Sequence, residues 1–150
     1  MILIKNRQRK IAVNAALLKK QAQTILDALD YADFDVGIWL TTNKTIREYN
    51  KTYRNKDKAT DVLSFAFHPD LRPGQRITAC CKEDKNLGDL IISLEYVVAD
   101  APRWGQTFEQ RLPILLVHGI CHLLGYDHKN DADYKIMHKQ ELALLKKLAK

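Results

Sequence analysis

At 150 residues, 46% of them hydrophobic, the chain has the size of one ordinary domain and can bury a core without disulfide or metal staples. A formal charge of +6 and a pI near 9.2 suit an acidic partner such as nucleic acid, because Lys and Arg displace the counterions condensed on phosphates; charge alone does not select one. The odd cysteine count, with Cys80 and Cys81 adjacent, argues against a disulfide framework.

Met1 to Lys10 has a short apolar start followed by Lys5, Arg7, Arg9 and Lys10, without the apolar segment and small-residue cleavage site of a secretory signal. No apolar run approaches the roughly 20 residues of a membrane span. A cytoplasmic protein with no membrane partner is expected.

Ile2 to Lys5 reads as a short strand. From Val13 to Leu29, apolar residues recur at helical spacing (Leu17, Leu18, Ala22, Ile25, Leu26, Leu29), with Asn14 as a cap. Phe34 to Leu40 alternates Phe34, Val36, Ile38 and Leu40 inward against Asp35, Gly37 and Trp39, the pattern of a half-buried strand. Thr42 or Asn43 starts a second helix carrying Ile46, Tyr49 and Tyr53. The polar stretch Asn55 to Ala59 is a loop before a strand within Thr60 to Phe67. His68 to Asn86, with Pro69, Pro73, Gly74 and many charges, is expected to be an exposed and partly mobile loop. Leu87 to Ser93 is another strand, and Ser93 caps a helix through Ala101. Helices from about Phe108 to Leu124 and Asp131 to Lys147 close the chain. Strands interspersed with helices predict a single α+β domain over residues 1–150, a mixed sheet of about four strands packed with about five helices.

The segment from His118 to His128 reads HGICHLLGYDH. Residues four apart lie one above the other on a helix, so His118 and His122 can reach one ion, and Gly125 can end the helix and return the chain with His128. Three neutral imidazoles leave a tetrahedral zinc ion a fourth position for water, as in catalytic sites. A single histidine on an apolar helix is more often a hydrogen-bonded core residue; three at ligand spacing, with a glycine at the turn, favour a metal. The spacing HxxxHxxGxxH is that of metzincin proteases, but Gly119 stands where those enzymes place their catalytic Glu, which disfavours a peptidase. Cys121 lies about 60° around the helix from His118 and reads as a buried, inert thiol. Asp127 reads equally as an acceptor fixing a ligand ring or as a solvated turn residue. His68 and His138 have no partner spacing and read as surface residues.

A second cluster runs from Asn50 to Phe65. Arg54 stands out, because a guanidinium grips a phosphate with two parallel hydrogen bonds and can stabilise charge developing in a phosphoryl transition state. Lys51, Lys56 and Lys58 would surround it with positive field suited to a phosphate backbone. Without the histidines, a solvated loop with Arg54 in a surface ion pair would be the better reading.

Together these blocks resemble the YbeY family of metal-dependent endoribonucleases that mature ribosomal RNA. Asn50 to Phe65 is similar to the family's N-x-x-Y-R-x-x-D-x-x-T-D-V-L-S-F segment, Gly88 to Ser93 to its G-D-[IL]-x-I-S strand, and His118 to His128 to its histidine signature. Ala66, where the family usually has proline, and Cys121, commonly leucine there, depart from the pattern without removing a ligand. The resemblance implies one zinc ion per chain on His118, His122 and His128, with Arg54 lining the cleft beside it. It also implies cleavage of single-stranded RNA, maturation of the 3′ end of small-subunit ribosomal RNA, and late ribosome quality control. The implied partners are the small ribosomal subunit, ribosomal protein S11 and an assembly GTPase. An assembly factor that binds RNA or ribosomal protein around a mainly structural metal stays open, since the missing base at position 119 is compatible with both.

Overall fold

A computed structural model describes all residues 1–150. In chain order the elements are β1 (Ile2–Asn6), α1 (Ala15–Ala28), β2 (Asp35–Thr41), α2 (Asn43–Arg54), β3 (Val62–Ala66), β4 (Asn86–Ser93), α3 (Leu94–Asp100), α4 (Phe108–Leu123) and α5 (Asp131–Leu148). The fold is α+β, with four strands and five helices, as the sequence patterning predicts. No helix is long and apolar enough to cross a membrane.

The sheet runs β1-β2-β4-β3. β1 and β2 are parallel, as are β2 and β4, while β3 lies antiparallel on the outer edge of β4. Because side chains alternate across a strand, each strand splits its residues between two faces. Val36, Ile38, Leu40, Leu90 and Ile92 point into the main core beneath α1, α4 and α5. On the other face Ile46 of α2, Leu63 and Ile91 form a smaller cluster, with Trp39, Tyr49 and Phe65 packed against it.

Helix starts follow side-chain capping. Asn14, Thr42, Ser93 and Asn130 accept from the backbone N–H three residues on. Thr107 and Gln110 form a reciprocal capping box that aims α4, the histidine helix, at the sheet.

The segment between β3 and β4 is mostly exposed, as its composition predicts, and it is anchored at specific points. Arg76 donates to the carbonyls of Leu29 (2.7 Å) and Asp30 (2.9 Å), its guanidinium lies 4.1 Å from the Tyr31 ring centre, and the Ile77 N–H donates to the Tyr31 hydroxyl. Arg76 thereby satisfies carbonyls left over at the end of α1, and with Leu71, Ile77 and Ala79 packed on the core it anchors the loop. His68 is half-buried rather than a free surface residue, donating through Nε2 to the Asp84 carbonyl at 2.8 Å. His138 is exposed, as expected.

Candidate metal centre and cleft

α4 carries His118 and His122 on one face, one turn apart, and ends at Leu124. Gly125, at φ 93°, then reverses the chain, and a Cβ there would collide with the carbonyl oxygen of Leu71. Only glycine meets both demands. The reversal returns His128 to the other two rings: one ligand atom from each histidine lies within 4.8 Å of the others. Nε2 of His118 and Nε2 of His122 are 3.1 Å apart. Two nitrogens on one tetrahedral zinc, each bonded at about 2.0–2.1 Å, sit roughly 3.3 Å apart. The His118–His122 pair is already near that spacing, and His128 is close enough to join them on one ion.

The protonation of the rings points the same way. Nδ1 of His118 lies 2.9 Å from Oε2 of Glu141 on α5. A carboxylate oxygen accepts, so Nδ1 donates to it and Nε2 is turned toward the centre. Burial, reinforced by the neighbouring charges of His118 and His128, pushes the His122 pKa down to about 4. That ring is neutral at physiological pH, which is the ligating form.

Asp127 does not perform the ring-fixing role considered for it. Its Oδ1 accepts from the His128 backbone N–H at 2.8 Å, holding the turn, and its side chain lines the cleft. Glu141 is the acceptor that sequence spacing did not single out. Cys121 is buried, as expected, and burial with the nearby Glu141 charge pushes its thiol up to about 12.

Gly119 has a packing reason to be glycine. A Cβ at this position would lie 2.9 Å from Cδ2 of Leu90 and 3.4 Å from Cγ2 of Val62, so α4 sits directly on β4 and β3. The Gly119 carbonyl accepts from the Ser64 hydroxyl at 3.1 Å. The position that bears Glu in metzincins faces the sheet here, and a side chain added there would press on Leu90 and Val62.

The opposite wall comes from the end of α2 and the start of β3. Arg54 is the last residue of α2; Asn55, left-handed at φ 59°, ends the helix behind it. Arg54, Asp61, Ser64 and Asp127 share with the three histidines a cleft of about 440 Å³. Buried Asn50 shapes this wall: its Nδ2 donates to the Lys58 carbonyl (2.9 Å) and its own carbonyl accepts from Lys56 N (3.2 Å), folding the intervening loop back on α2. Asp61 closes the loop by accepting from Val62 N at 2.7 Å through Oδ1.

The lysines of this segment are placed differently. Lys51, Lys56 and Lys58 are exposed, and none lines the cleft with Arg54. Lys58 lies beside Arg47 and Asp57, which pair at 2.8 Å, and the Lys51 charge acts on the same Asp57.

The chain is similar to known proteins over nearly its whole length. The family model described as Endoribonuclease YbeY matches residues 3–149. The human protein named Endoribonuclease YbeY is 34% identical over 149 residues, covering 99% of this chain and 89% of that protein. The Sulfurihydrogenibium sp. protein of the same name is 42% identical over 137 residues, covering 91% and 84%, and that of Aquifex aeolicus 37% identical over 150 residues, covering 99% and 92%. Among solved structures, the solution structure of TM1509 from Thermotoga maritima superposes with a TM-score of 0.63 at 26% identity, covering 98% of this chain and 88% of that one. With the match running over nearly its whole length, the chain belongs to the endoribonuclease YbeY family.

Proposed function

We propose that this chain is a zinc-dependent, single-strand-specific endoribonuclease of the cytoplasm that processes the 3′ end of small-subunit ribosomal RNA and serves late ribosome quality control. The small subunit, with ribosomal protein S11 and an assembly GTPase, would be its partners. One observation carries the catalytic part: Arg54 and the three histidines, 64 residues apart at their nearest in sequence, line the same cleft.

His118, His122 and His128 would hold the metal, with Glu141 fixing the His118 tautomer. A zinc ion supplies a Lewis acid for a phosphoryl oxygen and lowers the pKa of water. Arg54 binds a phosphate across the cleft and stabilises the charge that grows on its oxygens during cleavage. Asp61 and Asp127 are the carboxylates of the cleft able to accept a proton at its rim. The peptidase alternative is disfavoured, because Gly119 supplies no carboxylate to act as its base.

The test is cleavage, by the pure protein, of one RNA sequence presented single-stranded or annealed to its complement, each with and without a metal chelator. Cleavage of the single strand alone, abolished by the chelator, is expected. Chelator-resistant cleavage, or no cleavage of either form by metal-loaded protein, would overturn the proposal.

A further inference from the structure

Beside the metal cleft, on the opposite face of the sheet, is a second concavity of about 250 Å³ lined by Trp39, Tyr49, Tyr53, Phe65, Asp89 and Ile91. Strand register assembles it. Asp89 pairs with Gly37 on one side and Phe65 on the other, and Ile91 pairs with Trp39 and Leu63, so one carboxylate and one aliphatic side chain form a floor between aromatic walls. Gly37 makes room: a Cβ there would collide with the Asp89 carboxylate. From α2, Tyr49 and Tyr53 stack at 6.0 Å between ring centres, and Tyr53 meets Phe65 edge-on at 5.3 Å. Tyr53 remains 64% exposed, which a ring serving only the core would not be.

The cup and the cleft share both walls. Tyr53 lines the cup and the next residue, Arg54, lines the cleft; Phe65 lines the cup and the preceding residue, Ser64, lines the cleft. An RNA strand held by a phosphate at Arg54 would meet the aromatic cup by passing the wall that Tyr53 and Phe65 share with the cleft. Beyond Trp39 lie two cations, Lys5 with Nζ 5.0 Å and Arg7 with its guanidinium carbon 5.3 Å from the ring centre, placed to meet a further phosphate.

We propose that this cup binds one nucleobase of single-stranded RNA, adjacent to the phosphate at Arg54, and that Asp89 makes it prefer guanine. The inference rests on the RNA-cleaving reading of the cleft. Aromatic faces stack any base, which supplies affinity without choice. Choice comes from the floor: the two oxygens of Asp89 accept, and guanine alone presents two neighbouring N–H donors, N1–H and the N2 amino group, on its Watson–Crick edge. Burial pushes the Asp89 pKa up while Lys5 pulls it down, and no hydrogen bond from the chain contributes, so its acceptor capacity is available to a ligand. A base paired in a duplex has this edge occupied, which gives the site a reason to require single strands.

The experiment measures binding of short 2′-O-methyl RNAs, identical except for guanine, adenine, cytosine or uracil at each position in turn, to wild type, Tyr53→Ala and Asp89→Asn, with cleavage of the matching unmodified RNA measured in parallel. Thermal melts check that the variants fold. Wild type is expected to favour guanine at one position; Tyr53→Ala should weaken binding to every oligonucleotide by roughly 5- to 150-fold, the range for loss of one stacked base. Asp89→Asn should erase the guanine preference while leaving the other bases within about twofold. If wild type cleaves RNA but both folded variants bind all sequences as wild type does, the cup is not a base site and a cationic protein side chain becomes its better occupant. If metal-loaded wild type neither binds nor cleaves RNA, the reading of the cleft fails and this inference falls with it.

Discussion

The Glu141 carboxylate of α5 reaches across to Nδ1 of His118 on α4, at 2.9 Å. This contact turns Nε2 of that ring toward His122, and it ties the candidate metal centre to the packing of the last two helices.

Replacing Glu141 by Ala is therefore expected to weaken zinc binding roughly 10- to 100-fold, the usual effect of removing a group that orients a ligand. Glu141→Gln, whose amide oxygen can still accept, should lose less. Competition against a chelator of known affinity measures both. Wild-type affinity in a folded Glu141→Ala protein would show that packing alone orients His118.

Gly119→Glu tests the packing account of the histidine helix. The new side chain would press on Leu90 and Val62, and overpacking of this kind costs about 1 to 3 kcal/mol before the burial of a carboxylate is added. A lowered denaturant midpoint with no gain of peptidase activity is expected. An unchanged midpoint would mean that α4 can lift off the sheet.

Thiol chemistry separates the cysteines. Cys80 and Cys81 are exposed and Cys121 is buried with its pKa near 12, so a maleimide at neutral pH should label two thiols per native chain and three after denaturation. Three labelled in the native protein would contradict the burial of Cys121.

Arg54→Lys distinguishes a transition-state contact from a uniform one. Lysine keeps the charge but lacks the planar fork, so RNA affinity should be largely retained while turnover at saturating RNA falls roughly 100-fold or more. Wild-type turnover in the zinc-loaded variant would remove Arg54 from catalysis. Loss of affinity with unchanged turnover would make it a simple RNA contact.

What could be read from the chain before folding follows from how local each feature is. His118, His122, Gly125 and His128 fall within eleven residues on one helix and its reversal, so spacing alone brings them together. Arg54 was legible through its motif, but its place opposite the histidines depends on Asn50 folding the loop back. Glu141 was not legible, being one acidic residue in a charged helix whose facing is decided by packing on α4. The aromatic cup was hidden for a different reason: Trp39, Phe65 and Asp89 become neighbours only through the strand order β1-β2-β4-β3 and its register, which periodicity within single strands does not determine. The Arg76 anchor was missed because composition describes a loop's polarity and not the carbonyls it meets.

If the three histidines and Arg54 belong to one RNA-cleaving site, a zinc titration of metal-free protein should switch on cleavage of a single-stranded RNA, followed as initial rate. The rate should start near zero, rise linearly and break at one equivalent, with no rise for a folded His128→Ala protein over the same range. Full activity in protein verified to be metal-free, or equal activation of His128→Ala, would contradict the account.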